Sequence, residues 1–155
     1  MISVDIGTHR FQLRAAAVFT AGDFVLLHRL EGDAFWTLPG GRVEPGEDAA
    51  CTLVREMREE LGQEVVCGDL VYVVENFFED GGRQNHELGL YFSAAFAANS
   101  PILNTAKTHA GVEGSQRLEF EWFAPDRLAN IDIRPSFLRL ALAERERRFR
   151  HVVQR

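Results

Sequence analysis

The stretch from Gly40 to Gly62, "GGRVEPGEDAACTLVREMREELG", limits what this chain can fold into more than any other. Ala50, Leu53, Val54, Met57 and Leu61 recur at helical spacing and form one apolar stripe, which predicts a helix over 47–61. Glu47 and Asp48 suit the positive end of a helix dipole, and Gly62 is the residue type that ends helices. Away from the stripe, Glu56, Glu59 and Glu60 crowd into an arc of about 100°, at about 100° per helical residue. Glu56 and Glu60 stand four apart, where like charges destabilise a helix by about 0.2–0.5 kcal/mol. Taken alone, the crowding would be a solvated helix face. A second explanation is a hard divalent cation, which takes oxygen ligands and is commonly held by carboxylates together with substrate phosphates.

The preceding loop favours the second explanation. Gly40 and Gly41 let the backbone turn sharply and approach a ligand with no Cβ in the way, and a carbonyl there could complete a metal shell. No Gly-Lys-Ser or Gly-Lys-Thr follows, so the loop is not a P-loop.

This pattern resembles the Nudix box: Gly, five residues, Glu, seven residues, Arg-Glu, an aliphatic, any residue, Glu-Glu, any residue, Gly, an aliphatic. Here it runs through Gly41, Glu47, Arg55, Glu56, Met57, Glu59, Glu60 and Gly62. The one departure is Gln63, where the family prefers an aliphatic. That position lies past the helix end, so the change bears on packing more than on chemistry.

The resemblance implies an α/β (α+β) fold, a Nudix-type α/β/α sandwich with a mixed β-sheet. It implies a pyrophosphohydrolase that cleaves a nucleoside diphosphate linked to some moiety X, using Mg²⁺ or Mn²⁺. It also implies site roles. Glu56 and Glu60 would be metal ligands, Glu59 a ligand or the base, and the Gly40 carbonyl a further ligand. Arg55 would orient the glutamates and Glu47 would support Arg55. The family often adds a carboxylate from a late loop, for which Glu113 and Glu119 are the candidates. Arg42, Phe78 and His86 are candidates for substrate contact. The alternative is a Nudix-fold module that senses a nucleotide without cleaving it.

The rest of the chain is compatible. Its 155 residues suffice for a single domain spanning 1–155, which would bury about 70% of its unfolded surface. A net charge of −6 argues against a nucleic-acid partner but not against a small nucleotide-type diphosphate, because a metal ion can supply local positive charge. The N-terminus lacks a basic start followed by an apolar run, and the longest near-apolar stretch, 90–98, is far short of the ~20 residues a membrane helix needs. A cytoplasmic protein without membrane contact is therefore expected. Cys51 and Cys67 form no CxxC pair and are expected to be free thiols.

Apolar runs predict strands at 10–19, 23–30, 64–78, 86–97 and 118–124. Residues 79–85 are expected to be a turn, 99–117 a long polar loop, and 134–153 a final helix preceded by a short one. Phe137, Leu138 and Leu142 on that final helix could serve a homodimer interface or a core equally well. Trp36 is expected in the core. Glu75 and Asn76, polar residues inside an apolar strand, are expected either in the site or at an exposed edge, since an unpaired buried polar group is costly.

Overall fold

The computed structural model describes residues 1–155. Nine strands form one mixed sheet: β1 (Ser3–Ile6), β2 (His9–Ala21), β3 (Phe24–Leu30), β4 (Gly40–Arg42), β5 (Val65–Asp80), β6 (Arg83–Phe96), β7 (His109–Glu113), β8 (Gln116–Phe123) and β9 (Arg150–Gln154). The main path runs β7-β8-β3-β2-β6-β5-β9, with β1 and β4 also paired to β2. The β2–β6 and β5–β9 pairings are parallel and the others antiparallel. The one long helix, α1 (Ala49–Leu61), covers one face, and the one-turn helices α2 (Pro125–Leu128) and α3 (Leu138–Ala141) cover the other. The architecture is thus the expected α+β sandwich. No helix is long and apolar enough to cross a membrane.

The alternation along β2 builds both faces. Leu13, Ala15, Ala17 and Phe19 join the cluster under α1, whereas Ala16 and Val18 join the opposite cluster with Trp36, Tyr72 and Leu138. In β6, Leu90, Phe92, Ala94 and Phe96 face α1, as their period-2 spacing requires. Trp36 is buried, edge-on to Phe123 with ring centroids 4.9 Å apart. Both cysteines are free.

Helix α1 begins at its cap. The Asp48 side chain accepts from the Cys51 N–H at 2.8 Å, satisfying a backbone donor that has no partner within the helix. Gly62 ends the helix in the left-handed conformation, with φ 65°. Replacing Asp48 by Ala should cost about 1 kcal/mol. A melting-temperature fall of roughly 2–4 °C follows for a chain of this size, and a thermal melt showing no fall would mean the cap carries no weight.

Three expectations are corrected. The 79–85 turn is only Gly81 and Gly82, both at positive φ, and the flanking residues continue the hairpin. The polar loop at 99–117 contains a 3₁₀ turn, Pro101–Leu103, and strand β7, which pairs with β8 and packs against α1. Residues 134–153 are not one helix. Helix α3 stops after a single turn, and the chain returns as β9 along the outer edge of β5. The β-branched pair Val152–Val153 fits a strand, and Val152 packs on the core while Val153 points outward. Leu138 and Leu142 are wholly buried, so they serve the core of the single chain.

Candidate active site

The carboxylates of α1 are organised by Arg55. Its guanidinium makes a two-pronged pair with Glu47, Nε to Oε1 and Nη2 to Oε2, both at 3.0 Å. Nη1 donates to Glu56 Oε1 at 2.8 Å and to Glu59 Oε2 at 3.3 Å, and Nη2 also reaches the Arg42 carbonyl at 3.3 Å. Glu47 accepts in addition from Thr52 Oγ1 at 2.8 Å. These bonds from Arg55, with help from Thr52, hold the Glu47 carboxyl down at about 2. One guanidinium thus ties the residue before the helix to two of its acids.

Glu60 is in a different setting. It is only 5% exposed, and its Oε2 has no hydrogen-bond partner. Burial, then the neighbouring charges of Glu56 and Glu113, push its pKa up to about 9. His28 Nδ1 lies 3.7 Å away, also without a partner, and burial lowers that imidazole to about 3. Both groups are therefore neutral near pH 7, and the contact is not an ion pair. Of the three acids expected mostly off the packed face, Glu60 lies on it: the buried side of α1 is Ala49, Thr52, Leu53, Met57 and Glu60. The cause is β7. Its Gly111 is pressed so close that a Cβ there would stand 2.8 Å from the Glu60 carbonyl.

The glycine loop makes the other wall. A Cβ on Gly41 would fall 2.3 Å from the Glu56 carboxyl carbon, and one on Gly40 would fall 2.1 Å from the Ala15 carbonyl. Gly40 is therefore needed for β4 to lie against β2, and Gly41 leaves room for the Glu56 carboxylate. Because the obstacle at Gly41 is the end of a flexible side chain, Gly41→Ala should fold normally but displace Glu56. Metal affinity should fall about 10–100-fold, the size of effect seen when groups that orient a ligand are lost. Calorimetric titration with Mn²⁺ checks this, and wild-type affinity would contradict it.

No three His, Cys, Asp or Glu side chains are gathered closely enough to enclose a cation in this conformation, since Arg55 stands among Glu47, Glu56 and Glu59. The donor set nonetheless fits one. A buried carboxyl with an unpartnered oxygen, flanked by two further acids, is relieved by a positive charge and supplies the oxygen ligands a hard cation takes.

The remaining candidates are dispersed. Glu113 ends β7 and is close enough for its charge to act on Glu60, whereas Glu119 on β8 is paired with Arg29 at 2.7 Å. Arg42 donates to Met1 Sδ at 3.1 Å. Phe78 lines a cavity of about 470 Å³, on the sheet face opposite α1. His86 lies outside it, stacked on Phe77 at 4.3 Å and edge-on to Phe11 at 5.4 Å. Asn76 faces the cavity, while Glu75 points to the other side and meets His151 Nε2 at 2.7 Å.

Thr37 and Leu38, on the cavity wall, lie just before β4, whose Gly41 meets Glu56, so the cavity and the carboxylates are neighbours across this segment. Arg14 stands between them. It lines the cavity, donates to the Leu38 carbonyl at 3.1 Å, and pulls the Glu60 pKa downward. Sequence reasoning missed it, because an arginine within an apolar strand is the only signal it gives.

A family model for the NUDIX domain matches residues 10–144. The uncharacterized Nudix hydrolase YvcI of Bacillus subtilis is 27% identical over 118 residues, covering 76% of this chain and 69% of that protein. The CTP pyrophosphohydrolase of Escherichia coli is 47% identical over 51 residues, 33% of this chain and 36% of that one. The crystal structure of an ADP-ribose pyrophosphatase from Streptococcus suis shares the fold, with a TM-score of 0.62 at 18% identity, covering 92% of this chain and 98% of that one. On the family match, across most of its length, the chain belongs to the NUDIX-domain family of hydrolases.

Proposed function

We propose that the protein is a divalent-metal-dependent pyrophosphohydrolase that cleaves the diphosphate linkage of a nucleoside-diphosphate-X compound. The observation that carries this reading is Glu60: a buried, unpartnered carboxyl beside Glu56 and Glu113, at the end of a helix whose other acids are held by one arginine. An unpartnered buried carboxyl is costly, and a cation bound there would satisfy it. Related proteins named as CTP pyrophosphohydrolase and nucleoside triphosphatase add support for a nucleotide substrate.

In this reading Glu56, Glu60 and the Gly40 carbonyl would hold the cation. Mg²⁺ or Mn²⁺ held there would neutralise charge on phosphate oxygens and lower the pKa of water. Glu59, the acid with 61% of its side chain exposed and held only by a 3.3 Å bond from Arg55, would act as ligand or take the proton of the attacking water. Water adds to one phosphorus, its P–O bond to the bridging oxygen breaks, and the other phosphate leaves. Arg55 keeps Glu56 and Glu59 in position, and Glu47 keeps Arg55 in position. Glu113 is the late carboxylate that assists, since Glu119 is occupied by Arg29.

The test is incubation with nucleoside triphosphates, dinucleoside polyphosphates, ADP-ribose and other nucleotide sugars, in Mg²⁺ and in EDTA, with products identified by mass spectrometry. At least one compound should be cleaved at its diphosphate, with turnover abolished by EDTA. Ligand-induced thermal stabilisation without cleavage of any compound would instead make the protein a sensor.

A further inference from the structure

One level of the sheet carries a polar residue on each of four neighbouring strands. Gln12 on β2 is the register partner of Glu87 on β6, Glu87 of Asn76 on β5, and Asn76 of Gln154 on β9. All four point away from α1. Gln12, Glu87 and Asn76 are each less than 10% exposed. The levels further along the same face hold Ala16, Tyr72, Val74 and Tyr91, as a core should. A buried row of this kind is costly unless its hydrogen bonds are made.

The bonds are made only in part. Gln12 Nε2 donates to Glu87 Oε2 at 2.6 Å, and Gln154 Oε1 accepts from the Phe137 N–H at 3.0 Å and from Ser136 Oγ at 3.2 Å. Glu87 keeps its second oxygen free, and both atoms of the Asn76 amide have no protein partner. Asn76, Glu87 and Gln154 all line the cavity of about 470 Å³, a volume suited to a small ligand. The row is its polar floor. The walls include the rings of Phe35 and Phe78, and the Arg134 guanidinium lies 4.2 Å from the centre of the Phe35 ring. Aromatic and guanidinium planes accept a flat π-system.

We propose that this cavity takes the base of the nucleotide and that Glu87 and Asn76 select an amino-bearing edge. The inference rests on the reading of the protein as acting on a nucleotide. Glu87 is an acceptor and takes a hydrogen bond from an exocyclic amino group. Asn76, directly opposite it on the next strand, donates its amide N–H to the ring nitrogen beside that amino group. Cytosine and adenine present this amidine edge. Uracil and hypoxanthine place a carbonyl where the amino group would be, and that oxygen would face the Glu87 carboxylate with no proton between them. A site that buries its acceptor for a particular donor discriminates strongly against the analogue lacking it. Arg14, beside the floor, then lies along the route from the base to the carboxylates of α1.

The test uses nucleoside monophosphates, which have no diphosphate to cleave, and measures affinity by calorimetry without metal. Wild type should bind CMP about tenfold or more tightly than UMP, and AMP likewise over IMP. Glu87→Gln has the same shape and can still accept from Gln12, but its amide can also donate to a carbonyl, so both ratios should collapse towards one. Asn76→Asp should weaken CMP and AMP while sparing UMP, whose ring N–H it can accept. Equal affinity for CMP and UMP in wild type, unchanged ratios in Glu87→Gln, or no saturable binding of any of the four would overturn the inference. Base discrimination without hydrolysis of the nucleotide panel would leave it standing and remove the hydrolase reading. Hydrolysis without discrimination would do the reverse.

Discussion

Glu60→Gln should lower kcat/KM for metal-dependent hydrolysis about a thousandfold or more, and should leave the metal-free protein at least as stable as wild type. A thousandfold is about 4 kcal/mol of lost transition-state stabilisation. A loss of that size is reasonable when a ligand to a charge-neutralising cation becomes an uncharged amide. Stability should not follow activity. Glu60 is buried with an unpartnered oxygen, and burial keeps its carboxyl in the neutral form without metal, so the isosteric amide changes no buried charge and breaks no hydrogen bond of that oxygen. Steady-state kinetics in Mg²⁺ and a thermal melt in EDTA measure the two halves. A structural glutamate would show the opposite: retained activity with a lowered melting temperature.

Leu53→Ala should have the largest effect on stability. Leu53 is completely buried, in the cluster that α1 shares with Ala15, Ala17, Phe120 and Trp122. Removing a buried leucine to alanine costs about 2–5 kcal/mol, from lost transfer energy and the cavity left behind. For a chain of this length the melting temperature should fall by roughly 5–15 °C. The acids are untouched, so kcat well below the melting point should stay within a few-fold of wild type. A melting temperature unchanged from wild type would mean that α1 is not held by this stripe, and a total loss of activity in a folded variant would mean that Leu53 does more than dock the helix.

These two residues also show what the amino-acid sequence reveals and what it hides. The apolar spacing of α1, its Asp48 cap and its Gly62 stop are local, and they fold as their pattern requires. The hairpin of β5 and β6 follows from alternation over many residues. The burial of Glu60 is not local. It comes from strands distant in sequence: His28 of β3 faces its carboxyl, and β7, a short strand in a segment rich in turn residues, packs on α1 across about a third of the chain. The long helix expected at 134–153 failed for a related reason. Its helical composition was outweighed by the open edge of β5, which offers β9 a full ladder of backbone hydrogen bonds. Arg14 and the polar row from Gln12 to Gln154 are likewise invisible in order along the chain, because they meet only through strand register.

Direct metal binding tests most sharply whether the acids of α1 form a metal site. Mn²⁺ titration followed by electron paramagnetic resonance should show saturable binding in wild type that weakens at least tenfold in both Glu56→Gln and Glu60→Gln and is nearly unchanged in Glu119→Gln. Equal Mn²⁺ binding by wild type, Glu56→Gln and Glu60→Gln would contradict that assignment.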